Sequence, residues 1–194
     1  MQPVAPGSPF EIRTVAIIGA GTAGRSFALA CAAVGYRVVL EDVMPANLRR
    51  AEADFAEMDL RDSSGTLGLA LTVEDAVREA DIAIDFVPDE LESKLEIFSM
   101  IDRMAPPKTI LCTPSNALSI TDLASCVYRP ERCFAVRGDR LAASSAVRLL
   151  YSPSADERLL VATVDFLRSL RIEVQSEPDP DMPILLKNLA HSAL

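Results

Sequence analysis

Short apolar runs alternate with amphipathic stretches over most of the chain. Residues 14–18 form a continuous apolar run that ends at glycines, which is typical of a strand buried on both faces of a parallel sheet. A helical stripe of apolar residues then begins at Phe27 and stops at Gly35, a residue type that commonly ends helices. The pattern predicts further strands at 37–40, 69–72, 82–87, 109–112, 133–136, 146–151 and 172–174, and helices at 47–59, 74–79, 90–104, 120–126 and 155–170. This alternation predicts a doubly wound α/β fold.

The two ends of the chain lack this alternation. Residues 1–12 hold three prolines and no periodicity, which predicts a flexible arm. We assign residues 13–177 to the domain and residues 178–194 to a helical C-terminal tail. The tail is apolar and has no evident partner, which predicts a homodimer formed through it. Its apolar side chains are Ile184, Leu185, Leu186, Leu189 and Leu194.

The amino-acid composition disfavours several classes of binding partner. Nineteen Lys and Arg residues stand against 28 Asp and Glu residues, and the net charge of −9 disfavours nucleic acid as a partner. No apolar run approaches the ~20 residues of a membrane span, and the N-terminus lacks a signal-peptide pattern, so we expect no membrane partner and a cytoplasmic location. Four scattered cysteines indicate reduced, buried thiols, and a single histidine disfavours a metal site.

The first chemical motif stands at the end of the first predicted strand. Gly19, Gly21 and Gly24 follow this strand in G-x-G-x-x-G spacing and open the first helix. Such glycines permit a tight turn, close approach of the backbone to a diphosphate, and close packing of helix on strand, and the helix N-terminus offers amides to the diphosphate. Thr22 and Ala23 complete the predicted binding segment. The pattern predicts dinucleotide binding, although a tight turn that binds nothing has the same spacing.

An acidic pair at the end of the second predicted strand bears on which dinucleotide binds. Asp42, eighteen residues after Gly24, is placed to accept hydrogen bonds from ribose hydroxyls. A 2′-phosphate there would meet the carboxylates of both Glu41 and Asp42, so the sequence favours NAD over NADP. Arg49 and Arg50 could instead receive a 2′-phosphate, but their helical spacing favours solvated surface.

Three segments resemble the NAD-binding domain of the 3-hydroxyacyl-CoA dehydrogenases. They are GAGTAGRSFALACAAVGYRVVLED, DIAIDFVPDELESKLEIF and PPKTILCTPSNALSITDLASCVYRPERCF, and the resemblance runs from about Arg13 to Val174. It implies a Rossmann fold with a mostly parallel sheet and extra antiparallel strands at its C-terminal end, NAD as the cofactor, and a place in fatty acid metabolism. It also implies that Asp85 and Val87 lie beside the cofactor and Lys94 near cofactor and substrate, although spacing alone equally allows a solvated Lys94.

The catalytic pair of this family is replaced. The family uses a His as base and a Glu on the next strand to orient it, and the matching residues here are Arg137 and Arg148, with Leu149 as the neighbouring choice for the second. Guanidinium stays protonated and leucine is inert, so neither residue can act as a general base. The family's Ser-Asn pair becomes Thr113-Pro114, which keeps a hydroxyl and loses the amide. We therefore expect lost or much reduced dehydrogenase activity, with Thr113 as a weak catalytic candidate.

The resemblance also implies an all-helical second domain that closes over an acyl-CoA and makes dimer contacts in the family. We expect this chain to stop where that domain would begin, with Asp181 where the family usually has Gly. A partner chain would then supply a helical domain, or the protein would have another role.

Three hypotheses follow. The first is an NAD(H)-binding or regulatory module with little or no hydride transfer, which the intact glycines and the replaced pair favour. The second is an active NAD-dependent oxidoreductase acting on a 3-hydroxyacyl-CoA-like or other hydroxy acid substrate, using Thr113 and Lys94 or a base from a partner chain. The third is a structural subunit whose glycine loop binds nothing.

A few remaining residues are weaker candidates. Cys133 lies near two arginines in sequence and could be a nucleophile, but a structural role is favoured. His191 has no neighbouring partner in the tail, so a surface or packed role is favoured. Five arginines would attract an anion such as a CoA phosphate if they cluster, whereas dispersed arginines would pair with Asp139 and Glu131. These five are Arg129, Arg132, Arg137, Arg140 and Arg148.

Overall fold

The structure is a computed structural model, and it describes residues 10–59 and 63–180. Its strands are β1 (Thr14–Ile18), β2 (Arg37–Glu41), β3 (Thr66–Ala70), β4 (Ile82–Asp85), β5 (Ile110–Pro114), β6 (Cys133–Arg137), β7 (Ala146–Tyr151) and β8 (Glu173–Pro178). Its helices are α1 (Thr22–Val34), α2 (Pro45–Ala56), α3 (Val73–Val77), α4 (Leu91–Met104), α5 (Ile120–Ala124) and α6 (Glu157–Ser169), and a short 3₁₀ turn spans Pro130–Arg132. The predicted alternation of strands and helices is confirmed.

All eight strands form one sheet in the order β3-β2-β1-β4-β5-β6-β7-β8. The first six strands run parallel, as crossover helices require. Strand β7 runs antiparallel to β6, because the link at residues 138–145 is too short for a crossover helix. Helix α6 then returns the chain, so β8 is parallel to β7. The predicted sheet, mostly parallel with reversed strands at its C-terminal end, is confirmed.

Helices cover both faces of the sheet and bury two apolar clusters. One face packs against α1, α2 and α6, where Phe27 and Phe166 meet edge to face. The other face packs against α3, α4 and α5, with Phe98 fully buried at its centre. Burying one such side chain contributes about 1.5–3 kcal/mol to the stability of the fold. The two layers of helices hold the carboxyl ends of β1, β4, β5 and β6 side by side. That edge of the sheet carries the candidate site.

The largest difference from the prediction concerns β3, which spans Thr66–Ala70 and not 69–72. This strand is at one edge of the sheet and most of its residues are exposed or half-buried, so it carries little of the apolar signal that marks buried strands. Helix α2 begins at Pro45, two residues earlier than predicted, because proline suits the first turn of a helix. The other predicted elements lie within a few residues of the observed ones.

The predicted arm begins to contact the domain before its assigned end. Phe10 and Ile12 are partly buried and pack against the first cluster, and the Arg13 amide donates to the Asp81 carboxylate at 2.9 Å. At the other end, Asp179 accepts hydrogen bonds from Ser119 and Thr121 and so ties the end of β8 to α5. The remainder of the predicted arm and tail lies outside the described residues, as do the apolar tail residues of the predicted dimer. Within the described part of the chain, no helix combines the length and apolarity that crossing a membrane requires.

Candidate functional site

The glycine loop between β1 and α1 is shaped by two close backbone contacts. Gly19 has a φ of 99°, in the left-handed region that glycine adopts readily, and its amide donates to the Glu41 carbonyl at 2.9 Å. A Cβ atom on Gly24 would lie 1.9 Å from the Gly19 carbonyl oxygen. These two glycines are therefore required by the protein itself, because they let α1 pack directly against the end of β1.

Gly21 is different, since a Cβ atom there would meet no protein atom within 4 Å. It is the N-cap of α1 and its φ of −61° suits any residue, so neither crowding nor backbone strain calls for glycine. No side chain caps the helix at this point. The backbone N–H groups of the first turn of a helix have no partner within the helix, and this end of a helix carries a partial positive charge. An open surface at such a helix end fits the diphosphate of a dinucleotide.

Asp42 holds the loop from the end of β2. Its Oδ2 accepts from the Ala20 amide at 2.8 Å and from Asn47 Nδ2 at 3.0 Å, and its Oδ1 accepts from the Met44 amide at 2.7 Å. A carboxylate offers about four acceptor positions, so one remains on Oδ1 for an outside donor. The sequence predicted a ribose contact for this residue, and the structure adds a second role, which is to fix the glycine loop to β2.

A second carboxyl group lies beside Asp42. Glu41 is buried, with 4% of its surface exposed, and burial followed by the nearby Asp42 charge raises the pKa of its carboxyl group. Arg49 and Arg50 are both exposed on α2, as the surface interpretation predicts. The end of β2 therefore presents acidic groups where an additional phosphate would have to bind.

A cavity of about 550 Å³ opens beside the N-terminus of α1, towards β5 and β6. Thr22 and Ala23 of the predicted binding segment line it, and Phe86, Asn116 and Arg140 line it from the loops after β4, β5 and β6. Val87 is partly buried against the second apolar cluster and is not among its lining residues. The cavity extends the glycine loop into a cleft that could hold the far half of a dinucleotide together with a small ligand.

Asn116 braces this cleft, and the sequence analysis missed it. Its side chain donates to the Gly138 carbonyl at 3.2 Å and accepts from the Gly138 amide at 3.0 Å, while its own amide donates to Asp89 at 3.0 Å. One residue therefore connects the loops after β4, β5 and β6. The signal was the Ser115-Asn116 pair, which begins three residues after the predicted strand at 109–112, since such residues commonly bond to nearby backbone.

Two arginines stand opposite each other on β6 and β7, beside a second cavity that neighbours the cleft. Arg137 ends β6 and is the register partner of Arg148 on the antiparallel strand β7, so both side chains leave the same face of the sheet. Arg148 pairs with Glu177 of β8 at 2.9 Å. Arg137 is half-buried and donates to the Leu118 carbonyl at 3.2 Å. This register is the one that a cross-strand catalytic pair would need, but both positions carry cations.

Comparison with known proteins agrees with this geometry. A sequence model of the family described as "3-hydroxyacyl-CoA dehydrogenase, NAD binding domain" matches residues 14–170. The chain belongs to this family. The predicted resemblance and the assignment of NAD as cofactor are thereby confirmed.

Individual relatives and solved structures are also dehydrogenases. The 3-hydroxyadipyl-CoA dehydrogenase of Escherichia coli (strain K12) is 33% identical over 134 residues, which are 63% of this chain and 28% of that protein. The crystal structure of 5-formyl-3-hydroxy-2-methylpyridine 4-carboxylic acid 5-dehydrogenase, described as an NAD⁺-dependent dismutase, matches with a TM-score of 0.75 at 25% identity and covers 94% of this chain and 62% of that one.

A further solved structure, (S)-3-hydroxybutyryl-CoA dehydrogenase from Ralstonia eutropha, matches with a TM-score of 0.77 at 22% identity and covers 92% of this chain and 68% of that one. This likeness shows the fold. The chain spans less than half the length of three curated relatives that it matches, between 28% and 47%.

The family's acid and lysine are both in the interior. Lys94 Nζ donates to Asp85 Oδ1 at 2.6 Å, and the side chains are 1% and 0% exposed. Burial raises the pKa of the Asp85 carboxyl group, while the Lys94 charge and the hydrogen bond from Lys94 oppose that rise. The solvated Lys94 that spacing allowed is wrong. Contact of either residue with cofactor or substrate stays a prediction, and the observed pair joins the end of β4 to α4.

Thr113, the weak catalytic candidate, does not face the cleft. Its side chain is fully buried on the α4 side of the sheet, next to Asp85. The alternation of side chains along β5 explains this position, since Cys112 and Pro114 point to the opposite face. The hydroxyl that the sequence retains is therefore inaccessible to a substrate in this structure.

The five arginines do not form one cluster. Arg132 is buried and binds the Asp102 carboxylate and four backbone carbonyls, with Arg129 3.9 Å from the same carboxylate. Arg140 lines the cleft, and Arg137 and Arg148 form the cross-strand pair. The sequence favours dispersed arginines over a single cluster, and the structure agrees with dispersal except that Arg137 and Arg148 remain together.

The cysteine and histidine candidates have different outcomes. Cys133 is fully buried, and burial raises the pKa of its thiol far more than the neighbouring Arg132 lowers it. A thiol in that state is a poor nucleophile, which agrees with the structural role favoured for it. Burial similarly raises the pKa of Cys112 to about 12. His191 and Asp181 lie outside the described residues.

Proposed function

We propose that this chain binds NAD(H) through its glycine loop and does not transfer hydride by the catalytic pair of its family. The open surface at Gly21 supports the first half, because nothing in the protein requires glycine there while a diphosphate would. Gly19 and Gly24 shape the loop, and Thr22 and Ala23 place the first amides of α1 beside it. These residues would hold the diphosphate by hydrogen bonds and by the positive end of the helix.

Asp42 would accept a hydrogen bond from the adenosine ribose at its remaining Oδ1 position. Glu41 and Asp42 together would oppose a 2′-phosphate, so we propose a preference for NAD(H) over NADP(H). The nicotinamide, which gives or takes hydride when the cofactor is bound, would extend into the cleft lined by Phe86 and Asn116.

The proposal that this chain does not use the family's catalytic pair rests on the register of Arg137 with Arg148. In the family's mechanism a base removes a proton from the hydroxyl group as hydride leaves, and such a base must be neutral near pH 7. A guanidinium is positively charged near pH 7 and cannot accept a proton. One guanidinium also cannot orient another in the way that a Glu carboxylate orients a His. The bound cofactor would therefore lack a proton acceptor at the place where the family provides one.

The alternative of an active oxidoreductase that uses Thr113 and Lys94 loses support. Both side chains are buried, and Lys94 is already paired with Asp85. An active enzyme would need a base from another chain. The cleft of about 550 Å³ remains large enough for a small molecule beside the cofactor, so acyl-CoA or another ligand stays a hypothesis. A homodimer, a partner chain with a helical domain, a cytoplasmic location and a role in fatty acid metabolism also stay hypotheses.

A calorimetric titration with NADH, run beside NADPH, tests this proposal. We expect micromolar binding of NADH and binding of NADPH about tenfold weaker or worse, because each carboxylate near the 2′-phosphate opposes it. Incubation with NADH and acetoacetyl-CoA, followed by chromatography of the thioesters, should show no protein-dependent reduction. The absence of heat with either nucleotide would contradict the binding half, and formation of 3-hydroxybutyryl-CoA would contradict the catalytic half.

A further inference from the structure

The arginines that replace the catalytic pair sit in a cavity of their own. We propose that this cavity binds a small molecule bearing a carboxylate or phosphate group, held by Arg137 and Arg148. The proposal rests on the proposed function in one respect, since it assigns these arginines to ligand binding and not to hydride transfer. The cavity is separate from the one beside the glycine loop and measures about 710 Å³.

Three adjacent strands bring polar side chains to this place. Arg137 of β6 is opposite Arg148 of β7, which is in turn opposite Gln175 of β8. Register partners project from the same face of a sheet, so the three side chains form one row across the strands. Asn116 and Arg168 line the cavity from neighbouring segments. The row offers two planar guanidinium groups and the amide of Gln175, all of which donate hydrogen bonds.

The geometry of the two guanidinium groups suits an anion. Arg137 and Arg148 lie directly opposite each other on an antiparallel ladder, so one anion can interact with both of them. The guanidinium fork matches the geometry of both carboxylate and phosphate oxygens. Arg168, Asp139 and Glu173 also line the cavity, and Glu177 pairs with Arg148, so an anion would compete with Glu177 for that guanidinium.

The two central arginines are held differently, and both arrangements suit ligand binding. Arg137 is half-buried and braced on the Leu118 carbonyl, which limits the freedom that a ligand would otherwise have to restrict. Arg148 pairs with Glu177, but the two side chains are 47% and 37% exposed. Exposed ion pairs of this kind are weak, so an incoming anion can displace Glu177 readily.

The position of the cavity couples it to the cofactor. Asn116, Gly138 and Asp139 line both this cavity and the cleft beside the glycine loop. A ligand in one cavity therefore contacts residues that also contact a ligand in the other. We expect the affinities of NADH and of the anion to depend on each other, and any such dependence must be reciprocal.

The test is calorimetry of the whole chain with two probes, malonate and inorganic phosphate, at low ionic strength and with saturating NADH. We expect at least one probe to bind, with malonate favoured if the ligand is a carboxylate and phosphate favoured if it is a phosphate. Arg137→Gln and Arg148→Gln should each weaken that binding by about tenfold, the usual loss for one charge-assisted hydrogen bond. Arg158→Gln is the matched control, because Arg158 is an exposed arginine that pairs with Asp156 on α6.

Arg148 is exposed, so its variant keeps the test valid even if Arg137→Gln weakens the fold. Absence of heat from both probes at millimolar concentration would overturn the proposal. Equal weakening in the Arg158→Gln control would do so too, because the probes would then be responding to general charge. A titration with NADH on the same samples separates the two claims. Normal NADH binding without anion binding refutes this inference alone, whereas loss of NADH binding refutes the proposed function.

Discussion

The two ends of the sheet differ in the chemistry that their groups can perform. The first end is the glycine-loop end, built from β1, α1 and β2, and the second is built from β6, β7 and β8. At the first end, backbone amides and an aspartate are arranged for a dinucleotide, and a missing Cβ at Gly21 leaves room for it. At the second end the strands keep the register of a catalytic pair, but Arg137 and Arg148 occupy it. Binding geometry depends largely on the backbone, whereas proton transfer depends on two side chains.

This contrast has a physical basis. The fold needs Gly19 and Gly24 for packing at the first end, so changes there would alter the structure as well as the binding. At the second end, Arg137 is half-buried and donates to the Leu118 carbonyl, while Arg148 is exposed and pairs with Glu177. Neither side chain is part of the two apolar clusters, so a change of side chain here should disturb the fold less than a change of Gly19 or Gly24.

The largest expected effect comes from the ion pair that lies between the two ends. Lys94→Met would leave the Asp85 carboxyl group buried without its cation, and we expect a loss of about 3–5 kcal/mol in the free energy of unfolding. Lys108→Met is a suitable control, since Lys108 is 58% exposed and Asp81 keeps two backbone donors. Urea denaturation measures both. Equal losses would show that the buried pair does not support the fold.

The same variant has a defined pH dependence. Burial already raises the pKa of Asp85 in the folded state, and removal of Lys94 removes the main opposing effect. The folded protein would then hold a proton that the unfolded chain, with a carboxyl pKa of about 3.9, has released. Stability of Lys94→Met should be greatest below that value and should fall as the pH rises through the folded-state pKa. A flat profile over this range would contradict the assignment.

A pair of glycine variants separates packing from binding at the first end. Gly24→Ala places a Cβ atom 1.9 Å from the Gly19 carbonyl oxygen, so we expect about 3 kcal/mol of destabilisation together with loss of NADH binding. Gly21→Ala meets no protein atom within 4 Å, so stability should change by less than about 1 kcal/mol while NADH affinity falls. Denaturation and calorimetry on both variants decide this. Unchanged NADH affinity in Gly21→Ala would mean that the cofactor does not approach this loop.

Substitution of the aspartate should shift selectivity more than stability. Asp42→Ala removes three accepted hydrogen bonds and the ribose contact, so we expect a loss of about 1–3 kcal/mol in stability and weaker NADH binding. NADPH binding should weaken less, because a repelling charge is also removed. The ratio of the two dissociation constants, with Asp54→Ala as an exposed acidic control, measures the shift. A ratio equal to that of the unchanged protein would remove Asp42 from the cofactor site.

The smallest expected effect lies at the second end. Arg148→Gln relieves the cross-strand repulsion and loses an exposed ion pair, so the free energy of unfolding should change by less than about 1 kcal/mol. NADH affinity in the absence of added anions should stay the same. Thermal denaturation and an NADH titration check both points. A large loss of NADH affinity would mean that Arg148 supports the cofactor site even when no anion is bound.

Much of the fold could be predicted because the buried strands of a parallel sheet are nearly continuous apolar runs. Strands β1, β4 and β5 are predicted by such runs, and the glycines predict the start of α1. The edge strand β3 was displaced by three residues, since an exposed strand carries little apolar signal. Antiparallel β7 was predictable, because the connection after β6 is short.

The site was less predictable, because the spacing of residues along the chain does not give the distances between loops that are far apart in sequence. The roles of Gly19, Gly24 and Asp42 follow from a short motif, but the clamp made by Asn116 joins three loops that are far apart in sequence. Thr113 was expected in the cleft, and the alternation of side chains along β5 turns it inward. Lys94 looked equally suited to solvent, and only the fold places it against Asp85.

The central proposal is that the glycine-loop end of the sheet binds the cofactor, while the end that carries Arg137 and Arg148 lacks the base that hydride transfer needs. The most direct measurement follows both in one sample. NADH is added to the protein until its fluorescence change is complete, acetoacetyl-CoA is then added, and NADH absorbance is recorded against a sample without protein. We predict saturable NADH binding and no protein-dependent oxidation of NADH. Oxidation with formation of 3-hydroxybutyryl-CoA, or the absence of any binding signal, would contradict the account.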